Sequence, residues 1–574
     1  MGGRLHRLIA SLAAPLLLAA CASSLQERVA TATAFPSHPG VVSAADPRAA
    51  EAGVEILRAG GSAADAAIAT MLALSVVEPQ SSGIGGGGVV LYTAPDGKVA
   101  SFDGRETAPL AATGDWFLDK GAALPFQQAK LSGLSVGVPG NIRLAALLHG
   151  EHGRLGWARL FDPAIRLARD GFAITPRLAE FLARERGAAG HDEEGRRLFY
   201  DASGNPLPVG ALVRNPPLAE TLERIARNGP DSFYRGAAAN ALAREVAAAT
   251  PRAVGMTAAD IAAYRAKERG AVCGPYRTYR ICGMGPPSSG ATTVLAILKQ
   301  LERFDLAALG PQSPVAWHLF AESQRLAYAD RELYLADGDF VAVPVAGLTD
   351  PAYLAARSTL ISADSTIPAA QPGTPPGVAA QPADGAEPEE HGTSHFVAVD
   401  RAGDVVSYTS TIEGPFGSGI MVGGYFLNNE LTDFSFAPDK DGKPVANRVE
   451  GGKRPRSSMA PTLVFGPDGR MVLAVGAAGG PTIPVQVARV IIGVIDWKLP
   501  AKQAIALPVL FVPGDTLFIE PGSALEAMVP ALRQLGHATI VPRAMPLKTN
   551  AVEWGATGWI GAADPRSEGA AASE

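Results

Sequence analysis

The sequence HGTSHFVAVDRAGDVVSYTSTIEGPFGSGIMVGGYFLNNELTDF occupies residues 391–434, where the character of the chain changes. Residues 363–390, before it, are rich in proline, alanine and acidic residues and lack periodicity, which predicts a disordered linker. Thr393 lies where this linker gives way to alternating apolar residues. Cleavage of the Gly392–Thr393 bond would give Thr393 a free α-amine beside its hydroxyl, a known way to activate a threonine. The stretch therefore predicts a cleavage site at Gly392–Thr393 and a nucleophile at Thr393.

The residues after Thr393 favour β-structure. Alternating apolar residues around glycine-containing turns predict two hairpins, one pairing residues 393–399 with 404–412 and one pairing 462–465 with 471–475. Helical patterns occupy much of the remaining chain: 46–60, 62–77, most of 141–235, 291–302, 315–336, 483–496 and 523–535. Helices combined with mainly antiparallel hairpins predict sheets covered by helices. The residues from 567 onward predict a disordered tail.

The bulk composition excludes some classes of function. The chain has 574 residues, 47% of them hydrophobic, and a net charge of −6. This length fits several domains or one large domain of two layered sheets. No run rich in lysine and arginine occurs, which argues against a nucleic-acid partner. No spacing of histidines, cysteines and carboxylates predicts a metal site.

The N-terminus predicts export. Arg4 and Arg7 precede an apolar stretch, residues 8–20, that is short for a membrane span. It ends in Leu-Ala-Ala-Cys, which resembles a bacterial lipobox, so Cys21 is the predicted lipidated first residue of the mature protein. The alternative is an ordinary secretion signal cut after a small residue. We expect residues 1–20 to be a signal peptide and the protein to be periplasmic or anchored to the outer membrane of a bacterium through lipid alone.

Two further cysteines, Cys273 and Cys282, flank a short sequence that predicts a hairpin. If Arg277 and Thr278 form a two-residue turn, the two cysteines face each other across the strands, close enough to form a disulfide. An exported protein permits that bond. Two free thiols are the equally acceptable alternative at this point.

Six motifs in order give the chain a family resemblance. They are Glu78-Pro-Gln-Ser-Ser-Gly-Ile-Gly-Gly-Gly-Gly88, Asp103-Gly-Arg-Glu-Thr-Ala-Pro109, Pro286-Pro-Ser-Ser-Gly290, the stretch 391–434, Lys453-Arg-Pro-Arg-Ser-Ser-Met459 and Gly479-Gly480. Together they resemble the gamma-glutamyltransferase family of N-terminal-nucleophile hydrolases. The resemblance implies an α+β fold, an αββα sandwich shared by two subunits of one self-cleaved precursor. Residues 21–392 would form the large subunit and residues 393–574 the small catalytic subunit of a heterodimer.

The resemblance also implies a reaction. The family cleaves γ-glutamyl amide bonds, as in glutathione, through a γ-glutamyl–threonine ester that water or an amino acid or peptide amine then resolves. It needs no cofactor. Thr411 matches the threonine that orients the nucleophile, and the backbone N–H groups of Gly479 and Gly480 would receive the oxyanion. His395 also matches the family pattern, but we give this strand histidine no chemical role.

The substrate of the family carries an α-carboxylate and an α-ammonium, so its pocket needs charges of both signs. Three residues match the carboxylate-binding positions of the family: Arg105, Ser457 and Ser458. Glu430 and Asp433 match the positions that hold the ammonium, and Glu413 adds a further acceptor. Arg105 suits this role because its guanidinium grips a carboxylate bidentately.

Two alternatives and one decoy remain. The first alternative is a related acylase that removes a glutaryl group from a β-lactam; its substrate has no α-ammonium, so Glu430 and Asp433 argue against it. The second is a non-catalytic surface lipoprotein that retains the fold. The decoy is Gly133-Leu-Ser-Val-Gly137, which has the spacing of a nucleophile elbow. Pro139 and Gly140 follow Ser135 too closely for the helix that such an elbow requires.

Overall fold

The computed structural model describes residues 38–378, 382–385 and 392–574. The predicted signal peptide, the predicted lipidation site Cys21, residues 379–381 and 386–390 of the predicted linker, and His391 lie outside the described residues. Within the described ranges, no helix combines the length and the apolarity that a membrane crossing requires.

Two sheets with antiparallel neighbours lie at the centre of the protein. Their strands are β1 (Val41–Ala44), β2 (Gly87–Thr93), β3 (Val99–Gly104), β4 (Lys267–Arg269), β5 (Val272–Tyr276), β6 (Tyr279–Gly283), β7 (Ser394–Val399), β8 (Val405–Thr411), β9 (Thr462–Phe465), β10 (Met471–Ala478), β11 (Lys548–Gly555), β12 (Gly558–Ala563) and β13 (Ala570–Ser573). The first sheet has the order β13-β1-β7-β8-β2-β3-β4, and the second has the order β12-β11-β10-β9-β6-β5. The strand that begins directly after Thr393 is therefore internal to the first sheet.

Helices cover the outer faces of both sheets. The longer ones are α1 (Pro47–Arg58), α2 (Ala63–Val77), α3 (Asn141–His152), α4 (Asp162–Asp170), α5 (Pro176–Arg184), α6 (Pro216–Asn228), α7 (Gly236–Ala248), α8 (Gly290–Leu301), α9 (Pro314–Tyr334), α10 (Ile483–Ile495) and α11 (Leu525–Gln534). Shorter α-helices are Phe126–Lys130, Arg186–Ala189, Glu193–Phe199, Asp231–Tyr234, Ala258–Ala263, Leu306–Leu309, Val345–Leu348, Pro351–Ser358 and Ala501–Ala506.

Small sheets and single turns complete the described secondary structure. The two-stranded sheets are Leu118–Asp119 with Ala122–Ala123, Phe172–Ala173 with Leu212–Val213, Met421–Val422 with Tyr425–Phe426, and Asp439–Lys440 with Lys443–Pro444. A three-stranded sheet contains Leu510–Phe511, Thr516–Ile519 and Thr539–Pro542. Short 3₁₀ turns are Gly133–Ser135, Trp157–Phe161, Glu430–Asp433 and Gly480–Thr482.

The layering follows from alternation along buried strands. On β7, Phe396 and Ala398 join the apolar cluster that contains α1 and α2, whereas Val397 and Val399 pack with residues of the second sheet. The opposite face of the second sheet packs against α8, α9 and α10. Successive strand residues point to opposite faces, so a strand between two apolar layers is apolar throughout. The order helix, sheet, sheet, helix confirms the predicted αββα sandwich.

Helix α2 carries the first motif into the core. It begins at a capping box in which Ser62 Oγ accepts from the backbone N–H of Asp65 at 3.1 Å, while Asp65 accepts from the N–H of Ser62 at 3.0 Å. Every residue of the helix is buried, as its uniformly apolar composition predicts. The helix ends at Val77 with Glu78 as its C-cap, so the motif of residues 78–88 connects α2 to the start of β2.

Two segments that the sequence predicts to be disordered, residues 363–378 of the linker and the C-terminal tail, make ordered contacts. In the predicted linker, residues 363–378 lie against the folded protein, where the Ile367 N–H donates to Glu322 Oε2 at 2.6 Å and the Gly373 N–H donates to Asp330 Oδ1 at 2.7 Å. At the C-terminus, β13 pairs with β1 along residues 570–573. Backbone groups of both segments form hydrogen bonds with residues distant in the sequence, and amino-acid composition does not predict such contacts.

The cysteine pair forms a disulfide. The backbone reverses at Arg277 and Thr278, so Cys273 of β5 is the register partner of Cys282 of β6. The Cα atoms lie 4.1 Å apart and the two sulfurs are bonded. The two-residue turn predicted at Arg277 and Thr278 is confirmed, and it brings the two cysteines close enough to bond.

Candidate active site

Thr393 lies at the start of β7, in contact with residues from both sides of the predicted cleavage. Its Oγ1 donates to Thr411 Oγ1 at 3.2 Å, and its backbone N–H donates to the carbonyl of Ser81 at 3.0 Å. Thr411 Oγ1 also accepts from the Glu413 N–H at 2.8 Å. Thr393 is only 6% exposed. The predicted nucleophile and the threonine predicted to orient it are thus joined by a hydrogen bond.

The backbone around Thr393 is strained and closely packed. The φ angle of Thr393 is +108°, in a region that β-branched residues avoid, at a typical cost of about 1–3 kcal/mol. A Cβ added to Gly392 would lie 1.6 Å from the carbonyl oxygen of Glu413, and one added to Gly86 would lie 2.0 Å from that of Thr411. Only glycine fits at these two positions, and the close contact at Gly86 joins the motif of residues 78–88 to that of residues 391–434.

The Gly479-Gly480 pair approaches the same place from the second sheet. Both glycines have positive φ, +121° and +56°, and they connect the end of β10 to the turn that opens α10. Ala478, the last residue of β10, is the register partner of Lys548, whose Nζ lies 3.2 Å from Ser394 Oγ. The pair therefore lies at the Thr393 end of the sandwich, where backbone N–H groups at a helix start suit a developing negative charge.

A buried group of charges forms the other part of the site. Arg105, 1% exposed, forms ion pairs with both Glu430 and Asp433. Its guanidinium also donates to the carbonyl oxygens of Pro455 at 3.2 Å and Arg456 at 2.8 Å. The sequence predicts these charges at opposite ends of one substrate group, and the structure brings them together as one cluster.

The chain matches the gamma-glutamyltranspeptidase family over residues 49–574. It belongs to this family. It is 36% identical over 542 residues to the glutathione hydrolase proenzyme of Escherichia coli (strain K12), covering 92% of this chain and 90% of that protein. Among solved structures, it resembles cephalosporin acylase from Bacillus halodurans (TM-score 0.81, 27% identity, 94% and 96% of the chains) and Helicobacter pylori gamma-glutamyltranspeptidase (TM-score 0.54, 36% identity, 59% and 94%).

The two serines of the family motif are buried and bonded. Ser457 Oγ accepts from the Met459 N–H at 3.1 Å, and Ser458 Oγ accepts from Arg331 of α9 at 2.6 Å. The Ser457 carbonyl accepts from the Ser289 N–H at 2.8 Å, so the motif of residues 286–290 supports that of residues 453–459. Sequence reasoning missed Arg331; the available signal was an arginine near the end of a long predicted helix.

Glu413 is held away from open solvent. Its carboxylate accepts from the side-chain amide of Asn429, whose Oδ1 in turn accepts from the Gly414 N–H at 2.9 Å. Glu413 is 3% exposed and has a φ angle of +68°. Asn429 immediately precedes Glu430, so Glu413 belongs to the loop that carries the charged cluster.

The remaining candidates have structural roles. His395 is fully buried, its Nδ1 lies 2.8 Å from Thr409 Oγ1, and burial lowers its pKa to about 3. Ser135 of the decoy motif is buried in a 3₁₀ turn, and its hydroxyl donates to the carbonyl of Lys130 at 2.7 Å. Both side chains make local hydrogen bonds inside the fold, which agrees with giving neither of them a chemical role.

One buried histidine group was not predicted from the sequence. His318 and His537 share a hydrogen bond of 2.9 Å, and Glu322 lies beside them. Glu322 pairs with Arg325 at 3.0 Å and accepts from the Ile367 N–H. These bonds connect α9 to residues 362–367 and to the loop after α11. The histidine group therefore holds these three segments together.

Proposed function

We propose that this protein is a self-processing gamma-glutamyltransferase that cleaves γ-glutamyl amides, with glutathione as the model substrate. The observation that carries the proposal is the pairing of Arg105 with Glu430 and Asp433 in a chain of this family whose Thr393 contacts Thr411. A γ-glutamyl group ends in an α-carboxylate and an α-ammonium. A buried cluster with one guanidinium and two carboxylates has complementary charges for both.

The first reaction is maturation. Thr393 Oγ1 attacks the Gly392 carbonyl carbon, the C–N bond to Thr393 breaks, and the Thr393 nitrogen takes the hydroxyl proton. Water then hydrolyses the resulting ester, which leaves a carboxylate at Gly392 and a free α-amine at Thr393. Relief of the strained Thr393 backbone favours this step.

The second reaction is turnover. The neutral α-amine of Thr393 accepts the proton of its own hydroxyl as Oγ1 attacks the γ-carbonyl. The backbone N–H groups of Gly479 and Gly480 receive the oxyanion, a contribution typically worth about 10²–10³ in rate. The leaving amine departs with a proton, and water or an amine acceptor cleaves the ester. Thr411 fixes the hydroxyl through the 3.2 Å contact.

Recognition of the donor uses the charged cluster. Arg105 binds the α-carboxylate, and the hydroxyls of Ser457 and Ser458 add hydrogen bonds. Glu430 and Asp433 bind the α-ammonium; one oxygen of Glu430, Oε2, is buried and has no hydrogen-bond partner among the described residues. An ammonium donor satisfies such an acceptor.

The second candidate is a glutaryl acylase, which the likeness to cephalosporin acylase favours. A glutaryl group lacks the α-ammonium, so it would bring no cation to Glu430 and Asp433. The test compares kcat/KM on γ-glutamyl and glutaryl p-nitroanilides. We expect the γ-glutamyl substrate to be preferred by about 100-fold or more, and Asp433→Asn to reduce this ratio. A preference for glutaryl would reverse the assignment.

The two products of cleavage remain a heterodimer in this proposal. In the first sheet, β7 and β8, which follow the cleavage, lie between β1 and β2, which precede it. In the second sheet, β9 pairs with β6 across the same division. Separating residues 21–392 from residues 393–574 would break both sheets, which supports lasting association.

We also propose export and lipid anchoring at Cys21. Mass spectrometry of the mature N-terminus tests this, and an unmodified terminus downstream of Cys21 would contradict it. The same sample distinguishes the enzyme from a non-catalytic surface lipoprotein. An enzyme gives two bands and activity on γ-glutamyl anilide, whereas a single uncleaved inert band favours the binding protein.

A further inference from the structure

A buried ion pair lies beside the predicted cleavage site. Lys548, the first residue of β11, is 1% exposed, and its Nζ lies 2.9 Å from Glu78 Oε2. Glu78 follows α2 and is 3% exposed. The two residues are 470 positions apart and belong to opposite sides of the cleavage. The mechanism described above uses neither of them.

Two serines connect this pair to Thr393. Lys548 Nζ donates to Ser394 Oγ and to Ser81 Oγ, each at 3.2 Å. Ser394 is the next residue after Thr393, and its hydroxyl donates to Glu78 Oε2 at 2.7 Å. The carbonyl of Ser81 accepts the Thr393 N–H at 3.0 Å. Two serines therefore connect the ion pair to the nitrogen that becomes the α-amine. Ser394 follows Thr393 in the chain, and Ser81 accepts the Thr393 N–H through its carbonyl.

The charge of Lys548 favours the reactive form of that amine. A terminal amine has an ordinary pKa of about 7.7–8.0, so at neutral pH it is mostly protonated and unable to act as a base. A nearby ammonium in a buried site disfavours a second positive charge. Burial lowers the pKa of Lys548 to about 8, which leaves this residue mainly charged at pH 7.

We propose that Lys548, held by Glu78, Ser81 and Ser394, is a positioning residue for Thr393. Its ammonium keeps the α-amine in the neutral, proton-accepting form, and its contact with Ser81 fixes the carbonyl that orients the amine. The inference rests on the proposed function, because the α-amine exists only after cleavage at Gly392–Thr393.

Other titratable groups also lie near Lys548 and Thr393. Arg177 of α5 and Asp46 at the start of α1 act on Lys548 with opposite signs. His395 of β7 is neutral because burial lowers its pKa to about 3. On the loop after β8, Glu413 interacts with Lys130, and burial lowers the pKa of that lysine. Among the described residues, Lys548 is the cation that both serines connect to Thr393.

The test is the pH dependence of kcat/KM on γ-glutamyl p-nitroanilide, which reports the base of the free enzyme. Activity rises as the amine loses its proton. Lys548→Met removes the neighbouring positive charge, so we expect the acidic limb to move up by about one pH unit. Glu78→Gln removes the carboxylate that raises the pKa of buried Lys548, so Lys548 loses its charge and we expect that limb to move up by less than in Lys548→Met. The double variant, which carries neither charge, should match Glu78→Gln closely.

A control separates this role from a structural one. Arg357→Met disrupts a buried pair with Asp330, so it should lower stability without moving the acidic limb. Glu78→Gln and the double variant keep the test informative if Lys548→Met fails to fold. An unmoved limb in every folded variant would overturn the inference while leaving the proposed function intact. A wild-type chain that is neither cleaved at Gly392–Thr393 nor active would instead overturn the proposed function.

Discussion

The two ends of the candidate site are built from different kinds of group. At the reactive end, Thr393 contacts a hydroxyl, Thr411, and a backbone carbonyl, that of Ser81. At the recognition end, Arg105 forms ion pairs with two buried carboxylates. In the proposed function, a proton moves at the first end, so its basic nitrogen has to be neutral, whereas the fixed charges at the second end would select a zwitterionic group.

The two ends also share a feature. Each combines residues from before and after Gly392: Ser81 with Thr393 at one end, and Arg105 with Asp433 at the other. In the proposed maturation, cleavage frees the reactive amine and leaves these two pairs in place. This arrangement predicts that processing and substrate binding can be altered separately.

The largest effect should come from Thr393→Ala, which removes the hydroxyl of the reactive end. We expect an unprocessed precursor and a loss of activity of about 10⁴-fold or more, since both reactions begin at the same oxygen. Gel electrophoresis, N-terminal sequencing and assay on γ-glutamyl anilide measure the outcome. The matched control is Ser407→Ala on β8, whose buried hydroxyl has no hydrogen-bond partner among the described residues. Fragments starting Thr-Ser-His-Phe should appear in the wild type and in this control but not in Thr393→Ala.

The next effect should come from Arg105→Lys at the recognition end. Lysine keeps the charge but cannot bridge Glu430 and Asp433 as the planar guanidinium does. We expect normal cleavage at Gly392–Thr393 and a fall in kcat/KM of about 10²-fold, mainly through a higher KM. Arg325→Lys is the control, since Arg325 also pairs with two carboxylates, Glu322 and Asp515, outside the site. A variant that failed to cleave itself would show that the two ends are not separable.

A smaller effect should come from Thr411→Val, which removes a hydroxyl but keeps the shape of the side chain. The Glu413 N–H and Thr393 Oγ1 both lose their acceptor. A lost hydrogen bond of about 1–3 kcal/mol corresponds to a fall in kcat of about 10- to 100-fold. Thr411→Ser should retain most of the activity, because serine keeps the hydroxyl. Equal losses in both variants would assign Thr411 a packing role.

The sequence predicts local features of this molecule better than distant pairings. The hairpin predicted from residues 393–399 and 404–412 appears as Ser394–Val399 and Val405–Thr411, because alternation and a turn are encoded within one short segment. The fold followed from a resemblance over six motifs. Most of the site residues were proposed from the same motifs, and the structure places them in two neighbouring groups.

What sequence reasoning missed has a common physical cause. The contacts of Lys548 with Glu78 and of Arg331 with Ser458 join residues 470 and 127 positions apart. Sheet register and helix packing determine such pairs, and neither produces a periodic pattern in the sequence. The C-terminal strand β13 was missed for the same reason, since its partner is β1 at the other end of the described residues.

The smallest effect on activity should come from removing the disulfide, which lies in the β5–β6 hairpin at an edge of the second sheet. The double variant Cys273→Ser, Cys282→Ser removes a cross-link between residues nine positions apart. Because the cross-link restricts the unfolded chain, its loss should lower the free energy of unfolding by about 2–3 kcal/mol. Denaturant titration measures this loss. We expect kcat and KM to change less than twofold, because neither Thr393 nor Arg105 contacts this hairpin among the bonds described above. A large fall in kcat would instead connect this edge to the reactive end, and so contradict the view that each end is built from its own local groups.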